Sequence, residues 1–209
     1  MRPLILIGGG GHCKSVIEAA GSTGREIKGI LDLPEYLGSD CLGYKVIGND
    51  SDIPKFVDEC EFVVTLGFIK NPGPRIRLHH LIEKSSGKLA TVIASTARVS
   101  EHAQIGDGTV ILHHASVNAG ATIGKGTIIN TAANIEHDAF IDDYSHISTG
   151  AMVNGDCKIG KSCFIGSGAV VANGVTIVDE CTVGAGGVVT EEITESGTYV
   201  GIPVKKLLE

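Results

Sequence analysis

The sequence contains no tryptophan, and aromatic residues fill only 4% of its 209 positions. A core without large rings must be thin and built from aliphatic and small side chains. No apolar run approaches the length of a membrane-spanning helix, and glycines directly follow the short apolar start, unlike the core of a signal peptide. We therefore expect a soluble, cytoplasmic protein with no part in a membrane.

Paired cysteines and an excess of positive charge are also missing. None of the six cysteines belongs to a CxxC pair, which argues against a zinc or thioredoxin-type site. The chain has 24 acidic residues against 17 lysines and arginines, a net charge of −7. Nucleic acid binds to basic surfaces, so this charge excludes a broad nucleic-acid interface. We expect reduced thiols, no metal and no nucleic-acid partner.

Glycine, by contrast, is abundant, with 29 residues, and an aliphatic residue recurs every six positions in the second half of the chain. The series runs without a break through Ile93, Val99, Ile105, Ile111, Val117, Ile123, Ile129, Ile135, Ile141, Ile147, Val153, Ile159, Ile165, Val171, Ile177, Val183 and Val189. A small residue follows four positions after most of them, and Cys157, Cys163 and Cys181 fill that place. A period of six is typical of a solenoid of short strands that turn at regular corners. With three hexads per triangular coil, the series predicts a parallel β-helix of five to six coils.

The first part of the chain follows another pattern. Leu4–Ile7 predicts a buried strand, a run of four glycines follows, and a helix is expected from about residue 12 to residue 20. Residues 27–31 and 62–66 predict two further strands. This order indicates a small α/β sheet, about half of a Rossmann-like dinucleotide fold. Turn-forming residues at 85–87 divide the chain into an α/β domain, residues 1–86, and a β-helix domain, residues 87–209.

The two halves in this order resemble the bacterial nucleotide-sugar and sialic-acid acetyltransferases, which are hexapeptide-repeat acyltransferases of the bacillosamine, perosamine and sialic-acid pathways. The resemblance rests on the hexads and on residues 8–14 (GGGGHCK), 135–138 (IEHD), 145–148 (SHIS) and 201–205 (GIPVK). It implies a left-handed β-helix, a homotrimer with acetyl-CoA between neighbouring prisms, and a nucleotide sugar held by the N-terminal domain.

A histidine is the natural base for acetyl transfer, because a neutral imidazole with a pKa near 6.5 can accept a proton at neutral pH. The resemblance makes His137 the general base and Asp138 the residue that orients its ring. Asp138 stands where the family more often has Glu, and its side chain is one methylene shorter. The hexad register places Ala119 and Gly155 above and below His137, which leaves the ring open space. The alternative is a surface histidine without a chemical role.

The resemblance also predicts the residues that meet acetyl-CoA. His146 matches the histidine that contacts the cosubstrate, and Ser167 and Ala185 match positions whose backbone amides do so. The register stacks His146 between Ile128 and Phe164. Because these neighbours are apolar, a purely structural histidine is an equal alternative.

The glycine turn predicts the binding site of the nucleotide sugar. Gly10 and Gly11 let the backbone approach a pyrophosphate at the N-terminus of a helix. Cys13 stands at the sixth place of the dinucleotide fingerprint, where a glycine is needed, which argues against a dehydrogenase.

Four further residues complete the predicted substrate site. Asp32 ends the second strand, from which a carboxylate reaches a ribose or base. Leu33 stands where the family often has a second acid. By the resemblance, His12 at the glycine turn favours N-acetylation, since the sialic-acid branch of the family often carries an aromatic residue there. Gly67 follows the third strand.

We therefore expect a cytoplasmic enzyme of glycan or polysaccharide biosynthesis that uses acetyl-CoA to N-acetylate a nucleotide-linked 4-amino-4,6-dideoxy sugar. The first alternative is O-acetylation of sialic acid or another sugar hydroxyl. The second is a non-catalytic prism, or one that binds a metal through His113, His114 and His137 across subunits.

Overall fold

The computed structural model describes residues 1–207 of the chain. Positions 208 and 209, which close the predicted β-helix domain, lie outside the described residues. Neither helix of the described part has the length and apolarity needed to cross a bilayer.

The N-terminal part is an α/β domain around a six-stranded sheet. Its elements are β1 (Leu4–Ile7), α1 (Gly11–Gly21), β2 (Ile27–Leu31), β3 (Asp40–Cys41), β4 (Tyr44–Gly48), β5 (Glu61–Val64), α2 (Gly73–Lys84) and β6 (Lys88–Leu89). The strand order is β3-β4-β2-β1-β5-β6, and all neighbours are parallel except β3 and β4. The glycine turn therefore lies at the carboxyl end of the central strand, the position at which α/β sheets bind ligands.

Two parts of this domain were not predicted. β3 and β4 form a hairpin whose turn residues Leu42 and Gly43 both have positive φ, at 50° and 87°. Leucine is rare in that conformation, so the sequence carries no usual hairpin signal there. The second is α2, whose buried face consists of Arg75, Leu78, His79 and Ile82. Two polar residues on that face hide its apolar periodicity.

The sheet extends slightly beyond the proposed division at residues 86 and 87, because β6 pairs with β5. Helix α1 packs between the sheet and the first strand of the second half, at Val92 and Ile93. Leu6, Val16 and Val110 belong to one buried cluster that joins the two halves. The halves are therefore connected through a common core.

The second half is a triangular prism of very short strands. They are β7 (Val92–Ile93), β8 (Arg98–Val99), β9 (Gln104–Ile105), β10 (Val110–Ile111), β11 (Ser116–Val117), β12 (Thr122–Ile123), β13 (Ile128–Ile129), β14 (Asn134–Ile135), β15 (Phe140–Ile141), β16 (His146–Ile147), β17 (Met152–Val153), β18 (Lys158–Ile159), β19 (Phe164–Ile165), β20 (Val170–Val171), β21 (Thr176–Ile177), β22 (Cys181–Val183), β23 (Val188–Val189), β24 (Gly197–Gly201) and β25 (Val204–Lys206). Successive coils pair in parallel at a spacing of 18 residues, as Ile111 does with Ile129. The predicted coil of three hexads is confirmed.

The coils stack into three faces. The first face contains β7, β10, β13, β16, β19 and β22, followed by the antiparallel pair β24 and β25. The second face runs from β8 to β23 through every third strand, and the third runs from β9 to β21 in the same way. The predicted series of inward aliphatic residues forms the prism core, and its members from Ile111 to Val189 are at most 1% exposed. Cys157, Cys163 and Cys181 are buried in the same core with free thiols.

Candidate active site

A cavity of about 630 Å³ lies beside the glycine turn, between the carboxyl ends of β1 and β2 and the start of α2. Gly10 lines it, and a β-carbon added at Gly10 or Gly11 would meet no atom within 4 Å. Gly10 is also the N-cap of α1 and has no side chain that could cover the first amides of the helix. The helix N-terminus therefore opens towards free space, as an anion site requires.

Asp32 holds the glycine turn in place. One carboxylate oxygen accepts from Gly9 N at 2.6 Å and the other from Leu33 N at 2.7 Å. The residue also lines the cavity together with Leu33, whose side chain is half exposed. Asp40 and Asp50 also line the cavity, while Leu33 gives it an apolar wall next to Asp32.

The structure brings His12, Gly67 and His146 together at the contact between the domain and the prism. The rings of His12 and His146 lie 6.4 Å apart, and Gly67 packs against His12. Burial lowers the pKa of His12 to about 3, assisted by the charge of Arg75. Its buried Nε2 has no hydrogen-bond partner within residues 1–207. The His12 imidazole is therefore neutral and lacks a hydrogen-bond partner for Nε2. It lies at the contact between the N-terminal domain and the prism.

His146 projects from the first face of the prism and is 7% exposed. Its Nδ1 lies 3.0 Å from the carbonyl oxygen of Phe68, and its Nε2 lies 3.1 Å from Nδ2 of Asn130. Because a carbonyl can only accept, Nδ1 carries the proton and Nε2 accepts from the Asn130 amide. Burial lowers the pKa of His146 to about 4, so the ring is neutral at pH 7. Both the Ile128 and Phe164 neighbours expected from the register are present.

His137 and Asp138 form the exposed pair at the corner between the second and third faces. Nδ1 of His137 lies 2.9 Å from Oδ2 of Asp138, which adopts a left-handed conformation with φ of 60°. The hydrogen bond to Asp138 raises the pKa of His137, and the charges of Asp138, Glu136 and Asp156 act in the same direction. Since Nδ1–H donates to the carboxylate, Nε2 is left as the free, basic nitrogen.

Gly155 lies directly beside this ring, one coil away. A β-carbon added there would lie 2.7 Å from both Cε1 and Nε2 of His137. Glu136 faces away from the ring and accepts from Asn134 at 2.8 Å and Asn118 at 3.2 Å. Asp138 is therefore the carboxylate that bonds to the imidazole.

Ser167 and Ala185 occupy the corner between the first and second faces, on consecutive coils. Both residues are exposed, and neither backbone amide donates a hydrogen bond within the described part of the chain. Two free amides on one exposed edge can donate to carbonyl oxygens of an elongated ligand. No set of three or more His, Cys, Asp or Glu side chains within residues 1–207 could hold a metal ion.

The three groups of site residues lie on different sides of the prism. His146 is on the first face, the Ser167 edge is at the next corner, and His137 is at the corner beyond the second face. The N-terminal domain contacts the first face through Phe68, which lies against His146 and Phe164, and His137 is not among the residues that line the cavity.

Sequence reasoning missed the buried polar residues beneath this region. Arg75 is 1% exposed and donates to Gly126 of the prism, and His79 is fully buried. His79 packs against Gly108 and Gly126 and edge-on to Tyr144, with ring centroids 5.4 Å apart. The buried residues of α2 recur at spacings of three and four positions, as expected for one face of a helix. A search for this periodicity that accepted polar residues would have identified both Arg75 and His79.

Comparison with known proteins assigns both halves. Residues 3–80 match the family described as the PglD N-terminal domain, and residues 157–191 match the hexapeptide repeat of succinyl-transferase. The comparison with curated proteins finds no match.

Solved structures match over the whole chain. The acetyltransferase domain of PglB from Neisseria gonorrhoeae is 33% identical, with a TM-score of 0.91, covering 99% of this chain and 100% of that one. PerB from Caulobacter crescentus, solved with CoA and GDP-perosamine, is 30% identical with a TM-score of 0.91, covering 99% and 98%. WeeI from Acinetobacter baumannii, at 24% identity and a TM-score of 0.82, shares the fold. With its left-handed β-helix of hexapeptide repeats behind an α/β domain, the chain belongs to the family of sugar acetyltransferases that includes PerB and the acetyltransferase domain of PglB.

Proposed function

We propose that this protein transfers the acetyl group of acetyl-CoA to the amino group of a nucleotide-linked 4-amino-4,6-dideoxy sugar. The observation that carries the proposal is the His137–Asp138 pair with its free Nε2, on a chain that matches PerB over 99% of its length. PerB was solved with CoA and GDP-perosamine, and the PglB domain was solved with acetyl coenzyme A.

In this mechanism His137 is the general base. As the acceptor nitrogen attacks the thioester carbonyl carbon, Nε2 of His137 takes the proton that the nitrogen loses. The carbon–sulfur bond then breaks, and the same proton passes to the sulfur of departing CoA. Asp138 keeps Nδ1 protonated and stabilises the imidazolium between these two events.

The N-terminal cavity takes the nucleotide sugar. Gly10 and Gly11 accommodate the diphosphate against the positive end of α1, while Asp32 and Leu33 border the nucleoside. His12 and Gly67 lie between this cavity and the first face of the prism. The sugar would extend from the cavity along that line towards the cosubstrate.

A homotrimer completes the site. The second face of the prism carries the outward apolar residues Met152, Val170 and Val188, and Met152 is 42% exposed. This face lies between the Ser167 corner and the His137 corner. If the second faces of three chains surround a threefold axis, the His137 corner of one chain meets the Ser167 and Ala185 edge of the next.

His137→Ala tests the chemical step. The turnover number with acetyl-CoA and a 4-amino sugar nucleotide should fall by roughly 10²- to 10⁴-fold, with much smaller changes in both KM values. A thiol-release assay against UDP-, GDP- and dTDP-linked amino sugars measures this and identifies the nucleotide. A folded His137→Ala protein with full activity would remove the proposed mechanism.

Subunit mixing tests the shared site. His137→Ala and His146→Ala chains are unfolded and refolded together, and activity is measured below the acetyl-CoA KM. Random trimers should recover about one quarter of wild-type activity, because one junction in four then carries both histidines. No recovery in mixed trimers would place both residues in one chain and refute the shared site.

A further inference from the structure

Arg75 is a buried cation without an acidic partner in residues 1–207. It lies in the first turn of α2 and is 1% exposed. Nη1 donates to Val64 O at 2.6 Å and to Leu66 O at 2.8 Å, and Nε donates to Gly126 O at 3.0 Å. Burial lowers its pKa to about 9, which leaves the guanidinium charged at neutral pH. Burying a charged guanidinium without an acidic partner costs free energy, so the contacts that Arg75 makes must account for its presence.

What it holds is the junction loop, residues 65–72, between β5 and α2. Gly67 of this loop packs against His12, and the carbonyl of Phe68 accepts from Nδ1 of His146. The ring of Phe68 lies edge-on to His146 at 5.7 Å and to Phe164 at 6.5 Å. One short loop therefore touches both the substrate side and the cosubstrate side of the proposed site.

The third carbonyl belongs to the prism. Gly126 lies in the turn that leads into β13, and Ile128 of β13 pairs directly with His146. The Arg75 side chain thus joins the end of β5, the junction loop and the coil next to His146. Lysine cannot reproduce this arrangement, because its donors share one nitrogen whereas the guanidinium donates in a rigid fork.

We propose that Arg75 is a positioning residue that sets the distance between the nucleotide-sugar domain and the prism through the junction loop. The inference rests on the proposed function: an acceptor held by one part must meet a thioester held by the other. A displacement of about 1 Å between reacting groups costs on the order of 10²-fold in rate. Binding of each ligand alone does not depend on that distance.

The test compares Arg75→Lys and Arg75→Gln with wild type and with Arg25→Lys as the matched control. Arg25 is a largely buried arginine, paired with Glu61 at 2.9 Å at the other end of the sheet. In both Arg75 variants kcat should fall by about 10- to 100-fold. The dissociation constants of CoA alone and of the matching nucleoside diphosphate alone, measured by calorimetry, should change by less than about threefold. Arg25→Lys should lose thermal stability but keep kcat.

A second readout does not depend on activity. In wild type the ¹⁵N spectrum of labelled histidine should show His146 protonated at Nδ1, and in the Arg75 variants this signal should shift or broaden as Phe68 moves. Wild-type kcat in Arg75→Lys, or an unchanged His146 signal, overturns the inference. Failure of both variants to fold also overturns the inference, because Arg75 would then be needed for folding as a whole and not for positioning. If wild type itself acetylates no amino sugar, the proposed function fails, while the histidine signal still decides the positioning role.

Discussion

Gly155→Ala would displace the proposed catalytic ring while leaving the fold intact. The new β-carbon would lie 2.7 Å from Cε1 and Nε2 of His137, and an ordinary contact begins at 3.4 Å. The ring must therefore retreat by about 0.7 Å or more, which also strains its bond to Asp138. The backbone accepts a β-carbon here, because the same place in the neighbouring coils carries His137 and Asn173.

The size of the effect follows from that displacement. A misplacement near 1 Å costs on the order of 10²-fold, so kcat should fall by roughly 30- to 100-fold. Stability should change little, because the gain of about 0.4–1 kcal/mol from restricting the unfolded chain is offset by the contact with the ring. Activity should therefore fall without a matching loss of stability.

The assay is thiol release from acetyl-CoA at saturating substrates, with thermal unfolding followed on the same samples. Gly21→Ala is the control, because a β-carbon at the end of α1 would meet no atom within 4 Å. It should leave kcat unchanged. If Gly155→Ala folds normally and retains wild-type kcat, the position of the His137 ring has no part in the reaction.

Three further outcomes are expected. Ile147→Asp should unfold the prism, because this side chain is fully buried and an unpaired carboxylate costs several kcal/mol; an unchanged melting curve would contradict the hexad register. His79→Leu should make the free energy of unfolding less dependent on pH below 6.5. Burial lowers the pKa of His79 to about 2, so the unfolded chain binds the extra proton, and the stability present above pH 6.5 declines as pH falls. Wild type should lose about 2.3 kcal/mol through this residue between pH 6.5 and 4.5, and equal losses in wild type and variant by urea unfolding would disprove the assignment. Sedimentation should give a trimer of the 21.7 kDa chain, and a monomer at assay concentration would count against the shared site.

The hexapeptide repeat made most of the prism predictable. Every sixth side chain points into the core, and the spacing alone predicts three short strands in each coil. Ile135 and Ile147 could therefore be assigned to the core, and Gly155 to the space beside His137, from arithmetic. β2 was predicted with its observed limits. In each case a local pattern carries the structural information.

The rest depends on contacts between distant segments. Arg75 and His79 are buried because α2 docks on the turns at Gly108 and Gly126, and no local pattern records that docking. The hydrogen bonds of His146 could not be predicted for the same reason, since Phe68 is 78 positions away. The division of the site between corners of the prism follows from the order of the faces, whereas the partner chain that completes it is a proposal.

The hairpin of β24 and β25 limits how copies of the chain can polymerise end to end. A solenoid ends in open strand edges, which recruit further strands and can lead to fibres. On the first face β24 continues the parallel stack from β22, but β25 turns back antiparallel and ends the series with Lys205 and Lys206. A short edge strand that carries two positive charges is a poor template for a second copy. At this end of the first face a further coil therefore finds no open parallel edge to which it could add.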